Sequence, residues 1–143
     1  MINRKLLALL ILTFFCSCDQ NFYGDIDLGS DFYYLVEPSF NQVAIPVNRE
    51  KPYQSSITII KNIKEIGFNR DFILVKSIVG DSIKYWIIDK TKESKELGYI
   101  DNSVMRLTNV NQVDSILFNW TKKKLDIQVR EKDYYQKELG YKQ

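Results

Sequence analysis

The chain has 143 residues, with 20 Lys and Arg against 18 Asp and Glu, two cysteines and no histidine. Its length and 45% apolar content fit one folded domain and exclude an intrinsically disordered chain. A net charge of +2 without clustered cation argues against a nucleic-acid partner, and the missing histidine removes Ser-His-Asp and Cys-His catalysis, histidine-ligated zinc and histidine pH switching.

Residues 1–17 read as a signal peptide. Arg4 and Lys5 form a short basic head, and Leu6 to Phe15 is an apolar run in which Thr13 carries the only hydroxyl. The run is shorter than the roughly 20 residues that a membrane-spanning helix needs. Cys16 and Cys18 follow as C-x-C, with no second pair and no histidine to complete a metal site. Phe15-Cys16-Ser17-Cys18 resembles the lipobox of bacterial lipoproteins. That resemblance implies alkylation of a cysteine thiol by diacylglycerol, cleavage just before it, and acylation of the new amino group. A small residue must precede the modified cysteine, which makes Cys18 the lipidation site and sends Cys16 away with the leader. The expected address is the bacterial cell envelope, in the inner or outer membrane, with the membrane held as a partner through the N-terminal lipid. Cleavage leaves 126 residues, with 18 basic against 18 acidic side chains and no free thiol.

Residues 18–30 read as the lipid anchor and an acidic tether, with 31–143 as a single globular domain. Asp25, Asp27 and Asp31 form D-x-D-x-G-x-D, but Gly29 stands where a calcium loop needs an oxygen ligand and no bidentate Glu closes it, so no metal is expected. Phe32 to Val36 alternates as a strand does, and Pro38-Ser39-Phe40-Asn41 is turn chemistry. Val43, Ile45 and Val47 predict a second strand, at a sheet edge because Pro46 cannot donate a ladder hydrogen bond. Ile57 to Ile66 reads as one strand, with a bulge where its apolar parity changes at Ile59 and Ile60. Gly67 to Arg70 is a turn. Phe72 to Val79 is apolar on both faces, as in a central strand, and Gly80-Asp81-Ser82 returns the chain into Ile83 to Ile88. Asp81 and Asp89 are read as turn residues. Val110, Val113, Ile116, Leu117 and Trp120 recur at helical spacing after a cap at Thr108 or Asn109, with Lys122, Lys123 and Lys124 in the last turn. Trp120 is expected to be buried against the sheet, and 125–143 to form a peripheral tail. The pentapeptide KELGY occurs at Lys95 to Tyr99 and again at Lys137 to Tyr141, and each copy reads as a helix C-terminus with its glycine in the left-handed cap.

These elements predict an α+β fold: an antiparallel β-meander of about five strands with a C-terminal helix packed on one face. The stretch IKEIGFNRDFILVK at 63–76, then YWIIDK at 85–90 and a helix, resembles an uncharacterised family of small bacterial lipoproteins. The resemblance implies the address and the fold and brings no activity, cofactor or site residues. The expected function is a non-catalytic, lipid-anchored binding module for a protein or envelope polymer, one version being an immunity or inhibitor lipoprotein. The alternative is a hydrolase of envelope glycans working through paired carboxylates. Tyr85 and Trp86 point to opposite faces of their strand, and one of them is the expected interaction surface. Phe32, Tyr33, Tyr34, Trp120, Tyr134 and Tyr135 complete the pool of aromatics that a binding face could draw on.

Overall fold

The computed structural model describes residues 25–36, 41–50 and 55–140. The signal peptide, Cys18, the first part of the tether and the turn at Pro38 lie outside the described residues. The described residues are mostly β, with two short helices, and their strands form two sheets.

The first sheet holds β1 (Asp25–Gly29), β2 (Phe32–Leu35), β3 (Gln42–Pro46), β4 (Ser56–Lys61), β8 (Glu96–Ile100) and β9 (Val104–Leu107), in the order β1-β2-β3-β4-β9-β8. The second holds β5 (Ile63–Phe68), β6 (Phe72–Val79), β7 (Ser82–Asp89), β10 (Val110–Val113) and β11 (Arg130–Glu131), in the order β10-β7-β6-β5-β11. All pairings are antiparallel except β4 with β9. The expected five-stranded meander is therefore corrected to two packed sheets, with one meander in each, β1-β2-β3-β4 in the first and β5-β6-β7 in the second.

A shared core makes the pair a sandwich. Phe32, Tyr34, Val43 and Ile60 from the first sheet meet Ile66, Ile73, Val75 and Ile88 from the second, each at most 2% exposed. On the outer face of the second sheet, Leu74 packs with Phe118 of α1 (Ser115–Lys124) and with Ile127. The second sheet is thus covered on both sides, which is why 72–79 is apolar at both parities.

The change of parity at Ile59 and Ile60 is a real bulge. Val43 opposes Ile60 and Ala44 opposes Thr58, so Ile59 is the extra residue and both isoleucines are buried. The expected single strand then ends at Asn62, whose φ of 57° turns the chain out of the first sheet into the second. Two hydrogen bonds hold that corner. The Tyr34 hydroxyl donates to Asn41 Oδ1 at 2.8 Å, and Asn41 Nδ2 donates to the Ile63 carbonyl at 2.6 Å.

Other expectations fail for local reasons. Asp25–Gly29, assigned to the tether, pairs with β2 and buries Leu28 at 1% exposure, so the folded unit begins no later than Asp25. Its acids are taken up locally. Asp27 Oδ1 accepts from the Gly29 N–H at 2.8 Å, and Asp31 pairs with Arg49 at 3.1 Å. β3 is an interior strand. Pro46 is tolerated because it lies past Ala44, the last β3 residue that β2 opposes. Val110 and Val113 belong to β10, and α1 starts after Asp114, whose side chain accepts from the Leu117 N–H at 2.8 Å.

Only Phe118 and Thr121 of α1 are buried. Trp120 is 56% exposed, which overturns its expected place against the sheet. The two KELGY copies part ways. The first lies in β8, where Gly98 (φ 98°) sits at a bulge, and the second ends α2 (Lys132–Glu138) with Gly140 at φ 79°. The expected tail is integral, since Ile127 and Tyr135 are both buried.

Candidate functional site: an aromatic groove at the open edge of the sandwich

β1 ends one sheet and β11 ends the other, and α2 bridges them. Tyr135 donates its hydroxyl to the Ile66 carbonyl at 2.8 Å on the second sheet. Gln136 Nε2 donates to the Val36 carbonyl at 3.0 Å on the first. The Tyr135 ring stands edge-on to Tyr34 at 5.5 Å and to Tyr134 at 5.3 Å. Burial pushes the Tyr135 phenol up to about 12. It also drives the Tyr34 phenol far above its ordinary value, with the neighbouring Tyr135 and Asp133 adding to the effect.

The approach of 127–129 to β5 depends on one glycine. A Cβ at Gly67 would stand 2.2 Å from the Gln128 carbonyl oxygen, so only glycine lets that segment cross the strand and deliver β11 to Ile66.

Between β1, the end of β5, β11 and α2 lies a groove of about 450 Å³. Phe68, Tyr134 and Leu139 give its apolar lining, at 36%, 46% and 39% exposure, above Ile26 and Tyr135. Arg130, Gln128 and Glu138 supply the polar groups. The Arg130 guanidinium lies 5.2 Å from the centre of the Tyr134 ring and donates to Gln128 Oε1, which holds a cation at the mouth of an aromatic site.

Two shallower concavities continue the groove. One, of about 570 Å³, shares Gln128 and Arg130 and adds Lys122, Lys123 and Asp126. The other, of about 550 Å³, shares Phe68 and adds Asp27, Arg70 and Lys90. Lys90 itself is a structural tie: its Nζ donates to the Leu28 carbonyl at 2.5 Å and the Asn69 carbonyl at 2.6 Å. Burial lowers its pKa, with Asp71 and Asp27 opposing. Among the described residues, each of the three concavities is lined by one carboxylate, Glu138, Asp126 or Asp27.

Tyr85 and Trp86 do lie on opposite faces of β7, and each is partly buried. Trp86 turns into the sandwich, where its Nε1 donates to Ser77 Oγ at 2.9 Å. Tyr85 turns outward under α1, 5.1 Å from the Phe118 ring. Both rings are committed to packing, and the structure does not bring them into the groove. Asp89 serves its turn. Burial raises its pKa, but hydrogen bonds from the Thr91 hydroxyl and backbone and from Lys92 outweigh that and hold it below the ordinary carboxylate value. Among the described residues no three His, Cys, Asp or Glu side chains converge as metal ligands do, and no helix is long and apolar enough to cross a membrane. The groove escaped sequence reading because its walls come from positions 26, 68 and 128–139, which no local period connects. The signal that was present is the run Arg130 to Tyr135, which places two tyrosines beside the cations of a basic C-terminal segment.

No family model, curated protein or solved structure matches the chain.

Proposed function

We propose that the chain is a lipid-anchored envelope protein, held through Cys18, whose groove at Phe68, Arg130 and Tyr134 binds a segment of another envelope protein or polymer. The observation that supports it best is the groove itself: three partly exposed apolar side chains around an arginine stacked on a tyrosine. Aromatic and arginine side chains are those that carry most of the free energy at protein interfaces. The partner segment that fits has an apolar or aromatic side chain for Phe68 and Tyr134 and a carboxylate for Arg130. A glycan hydrolase would need two carboxyl groups facing one substrate, and each concavity offers one, so binding is the better reading of this geometry.

Two experiments test the halves of the proposal. Cys18→Ser abolishes labelling by a fatty-acid probe while Cys16→Ser keeps it; the reverse pattern would move the anchor. Partners captured from native envelopes by the wild-type protein are lost with Tyr134→Ala and with Arg130→Ala at unchanged thermal stability. Equal capture by all three proteins would exclude the groove.

A further inference from the structure

We infer that the outward face of α1 lies on the membrane surface, with Ile116 and Trp120 in the headgroup layer and Lys123 and Lys124 against anionic lipid headgroups. The inference rests on the anchor at Cys18.

The helix is built backwards for a water-facing element. Its inner side uses Phe118 and Thr121, while Ile116 is 79% exposed, Trp120 56% and Leu117 45%. Ile116, Trp120, Lys123 and Lys124 follow one another at spacings of four, three and one residues, which places them along one outer stripe. A helix that faced only water would carry polar residues there. An interfacial helix carries this pattern instead: a tryptophan, which seats its ring at headgroup depth, beside lysines that meet lipid phosphates.

The charge is one-sided. Ser115–Lys124 contains Lys122, Lys123 and Lys124 and no acid. Lys124 Nζ already lies 4.5 Å from the centre of the Trp120 ring, so cation and aromatic act at the same spot. Anionic headgroups complement that charge, and their attraction is felt within about a Debye length, roughly 10 Å.

The length of the connection keeps the domain close to the bilayer. With β1 starting at Asp25, at most six residues separate Cys18 from the folded unit, half of the spacer that residues 19–30 would have made. Fully extended, they and their flanking bonds reach about 25 Å. A domain of this size is roughly 35 Å across. That reach is less than the width of the domain, so the domain stays beside the bilayer and can turn a face to the headgroups. The entry strand is acidic, with Asp25 and Asp27, and so is not the face that an anionic surface attracts; α1 is.

The test uses the lipidated protein in vesicles that contain about one third anionic lipid, with bromine on the acyl chains near the headgroup. Trp86 is turned into the core, so quenching reports Trp120. The wild-type protein loses at least a third of its tryptophan emission in these vesicles. Trp120→Phe, a surface change, loses none of its remaining emission. Lys123→Glu with Lys124→Glu removes most of the quenching although the protein still floats with the vesicles. Floating protein whose Trp120 is unquenched, or quenched equally in neutral vesicles and in the double Glu variant, overturns the inference while leaving the anchor in place. Protein that does not float, or a Cys18→Ser variant that floats as well as wild type, overturns the anchor and the inference with it. A Trp120 shielded only when a soluble protein fraction is added assigns the face to a protein partner and overturns the inference.

Discussion

Tyr135 carries more of this structure than any neighbour of its size. It fills the core at 7% exposure, closes α2 onto Ile66 through its hydroxyl and orients Tyr134 at the groove. Tyr135→Phe removes the hydroxyl and leaves the Ile66 carbonyl to find another donor, which costs about 1–2 kcal/mol. Urea denaturation checks this. The same phenol sets a pH dependence. Its pKa is raised in the folded state from 10.0 to about 12, so its contribution to stability is complete below pH 10 and is lost as pH climbs toward 12. Tyr34 acts in the same direction. The melting temperature therefore falls over that window, and ultraviolet absorbance shows the slowest-ionising tyrosines appearing only with unfolding. A melting temperature flat to pH 12 would mean the phenols are not buried as described. At Gly67, alanine forces the 127–129 segment off β5, with a cost of about 1–3 kcal/mol from overpacking alone and loss of the groove wall beside it. None of these roles is written in the local pattern. Tyr135 was one aromatic among many, and Gly67 was read as a turn glycine although it pairs with Leu74 inside β5, because what it makes room for lies about sixty residues on.

Among the elements, α1 is the clearest reversal. Its apolar positions Val113, Ile116, Leu117 and Trp120 suit a helix, and that periodicity points its stripe at the sheet. The helix instead starts one turn later, capped by Asp114, and rotates so that Phe118 alone of its large side chains enters the core. Phe118→Ala is expected to cost about 3–5 kcal/mol in thermal or urea unfolding, as large truncations in cores do. Trp120→Ala is expected to change stability by less than about 0.5 kcal/mol. Equal losses from both would place Trp120 back in the core. The strands were more legible. β6 and β7 follow from the turn at Gly80–Asp81 and from runs whose length suits a strand, whereas the expected turn at Gly67–Arg70 begins only at Asn69, because Gly67 and Phe68 pair with β6. The bulge at Ile59 was visible as a parity break. What could not be read was the change of sheet at Asn62, since a left-handed asparagine between two apolar runs looks the same whether the chain bends within one sheet or leaves it. KELGY makes the same point in one molecule: Glu96 to Tyr99 lie in a bulged strand paired with β9, while Lys137 to Gly140 of the second copy close α2.

At the scale of the whole molecule, the chain reads as a two-sheet sandwich whose ends come together. β1 and β11, the first and last strands, edge the two sheets, and α2 closes the gap between them. The groove lies on that closure, so the proposed binding site and the docking of α2 share Tyr134, Tyr135 and Leu139. The parts of the account legible in the sequence were the strand-rich middle and a helix in the C-terminal half. The groove was not, because it joins Ile26 and Phe68 to residues 128–139, which are far apart in sequence. The most direct measurement is site-specific photo-crosslinking in native envelopes. A benzophenone side chain replaces Tyr134 at the groove or, in a second protein, Lys84 on β7, away from it. The account predicts a discrete crosslinked species from position 134, absent from position 84 and lost when Arg130→Ala is added. The same species from both positions, or one from 134 that survives Arg130→Ala unchanged, would contradict it.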